Sequence, residues 1–285
     1  MAAALTRRLR DYRAQAFHTA PGLRVKTIEQ AIAFVNERGF TFFWPIKDTP
    51  LPSLWTAVAG ERPVADAHDD PGHVTWGWKD SLLGKHKWYY AKVLRKKSTL
   101  ISFETAAYFY ALTENFGALE EDYLLQYEQG LLSQDAKAIY EVLLRDGPQH
   151  TVQLRRSAGL SSSNSEYRFN RAMLELETDF KVLPVGVAQA GAWRYSFIVD
   201  ITARHYPRLP QQARAIGQGQ ARAKLAELYL RSLGMARVQD VTKLFGWKAA
   251  VAQRALDQLA EDGVVTTGVH LPEQPGEWAI LCELQ

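Results

Sequence analysis

The densest run of groups able to hold a polyanion lies between Lys85 and Lys97. Lys85, Lys87, Lys92, Arg95, Lys96 and Lys97 stand there without an acid among them, interleaved with Trp88, Tyr89 and Tyr90. Cations displace the counterions of a phosphate backbone, and aromatic faces stack on bases or wedge beside them, so the pattern suits nucleic acid. The competing reading is an edge hairpin whose lysines block sheet aggregation. A second set follows. Arg155 and Arg156 end one helical stretch, Asn164, Arg168 and Arg171 recur at i, i+4, i+7 on the next, and Arg194 lies beyond them. That spacing gathers the three on one side of a helix, off its apolar stripe, where they can meet phosphates and base edges. The alternative is a solvated face shared with Glu166 and Glu175. Farther on, Lys248 and Arg254 sit among acidic neighbours, a setting that suits a packing or partner role as well as DNA.

Metal and nucleophile signals are weak. His68, Asp69, Asp70 and His73 share one loop, but their spacing matches no helical pair of ligands, and a turn around Pro71 and Gly72 accounts for the acids. The expectation is no metal and no cofactor. The chain contains no GxxxxGK[ST], GxSxG, CxxC or HExxH, which removes the standard readings of ATPase, hydrolase and zinc protease. Cys282 is the single cysteine and reads as a core residue near the end of a strand-like WAILCEL.

The elements that must position these groups follow from periodicity. From Ser133, Ala136, Ile139, Tyr140 and Leu143 form one apolar helix face closed by Gly147, and TVQLRRSAG is a second helix ending at Gly159. In a third, Phe169, Ala172, Met173 and Leu176 make the stripe, and FKVLPVGV and AWRYSFIVD form a hairpin. The pattern returns with helices stopping at Gly234 and Gly246, a third helix carrying Ala252, Ala255, Leu256 and Leu259, and two final strand-like runs. Three helices and a hairpin describe a winged helix, and the two glycine pairs share a spacing of twelve residues. The first part is less regular: helices near 4–17 and 27–38, a Pro- and Trp-rich segment, a strand-like HVTWGWKD, a hairpin turned at 96–98, and a helix from about Phe103 to Asn115.

The predicted fold class is therefore mainly α with small β-hairpins (α+β), built from tandem winged helix-turn-helix modules. PRLPQQARAIGQGQ reads as a linker, which gives units at 1–129, 130–209 and 210–285. At 285 residues, 47% hydrophobic and 23% charged, the chain can bury sizeable cores, and no run approaches a membrane span. Charge before any apolar core in MAAALTRRLRDYRAQ predicts no secretory signal and a cytoplasmic location. The net charge of +3 decides little, so any basic surface must be local.

The helix ending LLRDGP, the helix SEYRFNRAMLELETD and the run VLPVGVAQAGAWRYSFI, between Ser133 and Pro207, resemble the middle of the AlkZ/YcaQ family of bacterial winged-helix DNA glycosylases. ARAKLAELYLRSLG is similar to the family's last module, DYRAQAF to its opening helix, and YYAK at 89–92 falls where the family often has Tyr-Trp-Ala-His. The resemblance implies a protein that acts on alkylated or crosslinked bases in double-stranded DNA. The family's catalytic pair, Gln-x-Asp or Gln-x-Gln, positions the attacking water. Its nearest equivalents here are Phe42 and Trp44, which can neither accept a proton nor orient water. Asp48 is the first acid beyond them and the candidate for a displaced base, with Asp80 and Glu104 behind it; an Asp before Thr-Pro also suits a turn. Two classes of function stay open: a duplex DNA-binding relative of repair glycosylases with altered or lost base excision, or a winged-helix transcription regulator or assembly factor. No sustained heptads mark a dimerisation helix, so the expected state is a monomer.

Overall fold

The computed structural model describes residues 2–271 and 274–285. Helix α1 (Ala2–Ala16) precedes a first unit of α2 (Ile28–Arg38), β1 (Phe40–Phe42), α3 (Leu54–Ala59), α4 (Val74–Leu82), β2 (Tyr89–Lys92) and β3 (Ser98–Ile101). Helices α5 (Phe103–Tyr110) and α6 (Asp122–Glu128) lead to a middle unit of α7 (Gln134–Asp146), β4 (Gln149–His150), α8 (Thr151–Ser157), α9 (Glu166–Thr178), β5 (Val182–Ala188) and β6 (Ser196–Ile201). After α10 (Thr202–His205) and α11 (Arg208–Arg214), the last unit comprises α12 (Gln218–Leu233), β7 (Met235–Ala236), α13 (Val238–Phe245), α14 (Ala249–Glu261), β8 (Val265–Leu271) and β9 (Gln274–Leu281). Among the described residues, no helix is long and apolar enough to cross a membrane.

Each unit thus runs helix, strand, helix, helix, strand, strand, and each closes an antiparallel three-stranded sheet with its last strand in the middle: β1-β3-β2, β4-β6-β5 and β7-β9-β8. Where the sequence shows two copies of a pattern, the structure has three. Gly39, Gly147 and Gly234 end the three leading helices with φ of 77°, 81° and 80°, each returning its N–H to the carbonyl four residues back. That conformation is open to glycine at little cost. At Gly39 and Gly234 a side chain would also collide, since a Cβ would lie 2.7 Å from Leu228 and from Leu284 respectively.

The stripes predicted for the middle and last units are buried as expected: Ile139, Leu143 and Leu176 are fully enclosed, as are Ala252 and Leu256. The first-unit sheet is covered on both faces. Tyr89 and Ala91 point into a core shared with α5, α12 and α14, while Trp88, Tyr90 and Leu100 point into a second core with Phe34, Val35 and Leu54. The first and last units therefore share one apolar core, and the middle unit keeps its own while lending Phe180 to theirs. Phe180 stacks on Tyr89 with ring centroids 4.5 Å apart.

Several expectations are corrected. Cys282, read as a core residue, is exposed. HVTWGWKD is not a strand: residues 74–82 are helix α4, because Thr75, Lys79 and Leu82 bury one helical face and Asp70 accepts the Gly72 N–H at the turn that starts it. The proposed linker is a folded joint. Pro210, taken as a boundary, is buried within α11, where Leu209 and Ala213 bury alongside it and the helix packs on α5. Trp88, Tyr89 and Tyr90 are core residues, at most 7% exposed, and present no stacking surface. The turn of their hairpin spans 93–97 rather than 96–98.

Candidate functional site

What distinguishes the first unit is the length of its joints. Between β1 and α3 the chain makes an excursion closed at its base: the Phe42 N–H donates to Pro52 O (3.0 Å) and the Trp55 N–H to Phe43 O (3.1 Å). Trp44, Ile46 and Asp48 ride on this loop. A second loop, between α3 and α4, is tied by Arg62 to Asp70 (2.6 Å) and by His73 Nε2 to Ala65 O (2.9 Å). Asp70 and His73 are thus turn-forming groups, and among the described residues no cluster of three His, Cys, Asp or Glu could hold a metal ion.

The first of these loops, α4, the β2–β3 hairpin and the β5–β6 hairpin of the middle unit line an aromatic pocket of about 420 Å³. Its walls include Phe43, Trp44, Trp76, Tyr90, Tyr195 and Phe197, with Lys97 at one side. Lys79 reaches in from α4 with only 2% of its surface exposed. Its Nζ lies 4.7 Å from the Phe197 ring centroid, 5.0 Å from Trp76 and 5.4 Å from Tyr90, within cation–π range. It also donates to Tyr195 Oη (3.0 Å) and pairs with Asp80 Oδ1 (2.8 Å), and the Tyr195 hydroxyl donates to that same Asp80 oxygen at 2.8 Å. Burial pushes the Lys79 ammonium below the usual lysine range; Asp80 opposes the shift without cancelling it. Desolvation, with the carboxylate alongside, pushes the Tyr195 hydroxyl up.

A second cleft, about 590 Å³, lies where the 93–97 turn meets the last unit. Arg95 and Lys96 form its basic lip, in left-handed backbone conformation with φ of 54° and 58°. Arg95 donates to Lys243 O (3.2 Å), Lys243 Nζ donates to Asp48 O, and Phe245 stacks on Trp247 at 4.4 Å on the opposite wall.

The candidate cations divide. Lys85, Lys87, Lys92, Arg95, Lys96 and Lys97 are exposed, as are Arg156, Asn164, Arg171 and Arg194. Lys92 also reaches buried Glu177 (3.8 Å) across the joint to α9. Arg155 is occupied locally, donating to Leu160 O (2.7 Å) and Ser162 O (2.8 Å). Arg168 is exposed but forms a two-pronged pair with Asp135 of α7, at 2.8 and 2.5 Å. Beside Arg194, at the tip of the β5–β6 hairpin, Trp193 is 92% exposed.

The two positions aligned with the family's catalytic pair also separate. Phe42 is fully buried in the shared core, and Trp44 lines the aromatic pocket. Asp48 lies in an exposed turn with φ of 56°, outside the linings of both clefts, and Glu104 is exposed on the first turn of α5. Of the three acids considered, only Asp80 reaches the pocket through its partners. Lys79, Trp76 and Tyr195 were not singled out from the sequence. With residues 74–82 taken as a helix, the signal was there: Lys79 falls on the same face as Thr75 and Leu82, and an ionisable group on a buried face asks for a reason.

A family model described as AlkZ related matches residues 25–246. No curated relative matches the sequence. Among solved structures, the DNA glycosylase AlkZ of Streptomyces sahachiroi is similar in fold, with a TM-score of 0.56 at 13% identity, over 98% of this chain and 70% of that one.

Proposed function

The chain belongs to the AlkZ-related family, and from that premise we propose that it binds double-stranded DNA, damaged duplex above all, with altered or lost base-excision chemistry. In this reading the three α-β-α-α-β-β units are tandem winged-helix modules that bind as a monomer. The exposed cations of the 85–97 hairpin, with Arg156, Arg171 and Arg194, hold phosphates. Family membership supports the repair context, and one observation carries the rest: an aromatic pocket opens beside Lys97 and the basic turn. An enzyme or sensor that acts on a base must take it out of the stack, and aromatic walls receive such a base by stacking. Trp193, beside Arg194, has the exposure and chemistry of a wedge that could hold the duplex open.

Excision by an oriented water has weaker support. Phe42 is a core residue and Trp44 a wall of the pocket, and neither carries a group that can take a proton or direct a water. Base release should accordingly fall far below that of relatives with the glutamine pair. The deciding experiment incubates the purified protein with duplexes carrying alkylated or crosslinked bases and scores binding and release separately. Binding that favours lesions over matched duplex, with little release, is the expected result. Strong preference for one undamaged sequence would replace this reading with that of a transcription regulator. Efficient release abolished by Asp48→Ala would restore a displaced base.

A further inference from the structure

Lys79 is a costly feature for a structural residue. Its side chain is buried among five aromatic rings, where a leucine or methionine would pack without a desolvation penalty. It also faces a cavity, and its amine is held against two groups that can exchange protons with it, the Asp80 carboxylate and the Tyr195 hydroxyl. A lysine amine desolvated by apolar walls is activated toward carbonyls, and a carboxylate at hydrogen-bonding distance can take up its proton.

We propose that Lys79 is a nucleophile toward aldehydes and that the pocket captures the ring-opened deoxyribose of an abasic site as a Schiff base. The proposal rests on the DNA-binding reading for its substrate and on the Lys79–Asp80–Tyr195 geometry for its chemistry. The Lys79 ammonium passes a proton to Asp80, and the freed nitrogen pair forms a bond to C1′ as the carbonyl π pair moves to oxygen. The oxygen takes up a proton from the newly bonded nitrogen, giving a neutral carbinolamine. Asp80 then returns its proton to that hydroxyl, which leaves as water while the nitrogen pair closes the C1′=N bond. One aldehyde and one ammonium become one protonated imine and one water, with no oxidant or reductant involved. Burial assists by favouring the neutral amine. Asp80 acts through Lys79 and is a positioning and proton-carrying residue.

The test uses the full chain with a duplex containing one true abasic site, in the presence of cyanoborohydride, which reduces an imine to a stable secondary amine. The expected result is a covalent protein–DNA species whose crosslinked peptide maps to Lys79. It should be absent with the tetrahydrofuran analogue, which binds alike but lacks an aldehyde, and should fall to background in Lys79→Met. Trapping should rise with pH above neutrality, because the neutral amine attacks. Asp80→Asn should slow it most near neutrality and least at high pH, a convergence that a purely structural role would not produce. Mapping in the wild-type protein keeps the test independent of whether variants fold. If the duplex binds but no adduct forms, or the adduct sits on Lys97 or the amino terminus, the proposal is overturned. If the duplex does not bind at all, the DNA reading fails, and 2-deoxyribose 5-phosphate takes its place as the aldehyde. Labelling of Lys79 then sustains the amine chemistry alone, and no labelling overturns that as well.

Discussion

The first and last units repeat one wiring and put it to opposite ends. In the last unit Gly246, with φ of 74°, takes the chain from α13 almost directly into α14. The outer face of α14 satisfies itself, with Gln253 bonded to Asp257 (2.7 Å) and Gln258 to Asp262 (3.0 Å). In the first unit two loops pry the same helices apart, and the third helix offers Trp76 and Lys79 to a pocket that the middle unit's hairpin completes. A three-helix scaffold leaves no room for a cavity when its joints are tight. Lengthening the joints and letting a neighbour cover the opening makes one, while both outer units stay fixed on a common core.

The largest test of this contrast is electrostatic. If the first unit carries the phosphate contacts, binding should weaken by several powers of ten between about 50 and 200 mM salt, and replacing Arg95, Lys96 and Lys97 together with Ala should flatten the slope by roughly 2 to 3. The loss should be equal across sequences, because phosphate contacts carry no base information. Lys248→Ala with Arg254→Ala in the last unit should leave the slope unchanged. Fluorescence anisotropy over a salt series reads both. A slope insensitive to the first set and sensitive to the second would reverse the roles of the two units.

Stability gives the next test, since the repeated wiring predicts equivalent third helices even where function diverges. Leu176 and Leu256 are each at most 2% exposed on α9 and α14. Truncating either to Ala should cost about 2 to 5 kcal/mol by leaving a cavity that close packing cannot fill. Urea denaturation monitored by circular dichroism reads this. A loss in one unit with none in the other would show that the two helices are not sealed alike.

How much of this could be read from residues alone follows the same divide. The middle and last units were legible because their leading and third helices carry apolar stripes at the helical period and their leading and second helices stop at a glycine. The first unit hid its kinship because Gly39 and Gly60 are spread apart by the 43–53 excursion, so the pair of closely spaced glycines that marks the others is lost. Tryptophans at alternate positions made 74–82 look like a strand, whereas the burial of Thr75, Lys79 and Leu82 follows the helical period. The basic, aromatic run at 85–97 was divided by the fold: its cations are exposed, but Tyr89 and Tyr90 belong to a strand covered on both faces, and Trp88 is buried just before it. A run of one sequence cannot show that a second core lies behind the sheet. The pocket also draws on residues as distant as Trp44 and Tyr195, a proximity that only the packing of two units creates.

The smallest expected effect concerns the middle unit, which stands between the two extremes. Arg168 lies on the face of α9 that the spacing assigns to DNA, yet it is held by Asp135 on the leading helix of its own unit. The pair is largely exposed on the arginine side, so its removal should barely move the melting temperature. DNA binding separates the alternatives. If Arg168 meets a phosphate, the acid competes with DNA for it. Asp135→Ala should then tighten binding modestly, and Arg168→Ala should weaken it and lower the salt slope by about 1. The double variant should bind like Arg168→Ala alone, because without the arginine the acid has nothing to withhold. If Asp135→Ala and Arg168→Ala each leave affinity and slope unchanged, Arg168 is a clasp between α7 and α9, and the phosphate contacts of this unit fall to Arg156, Arg171 and Arg194.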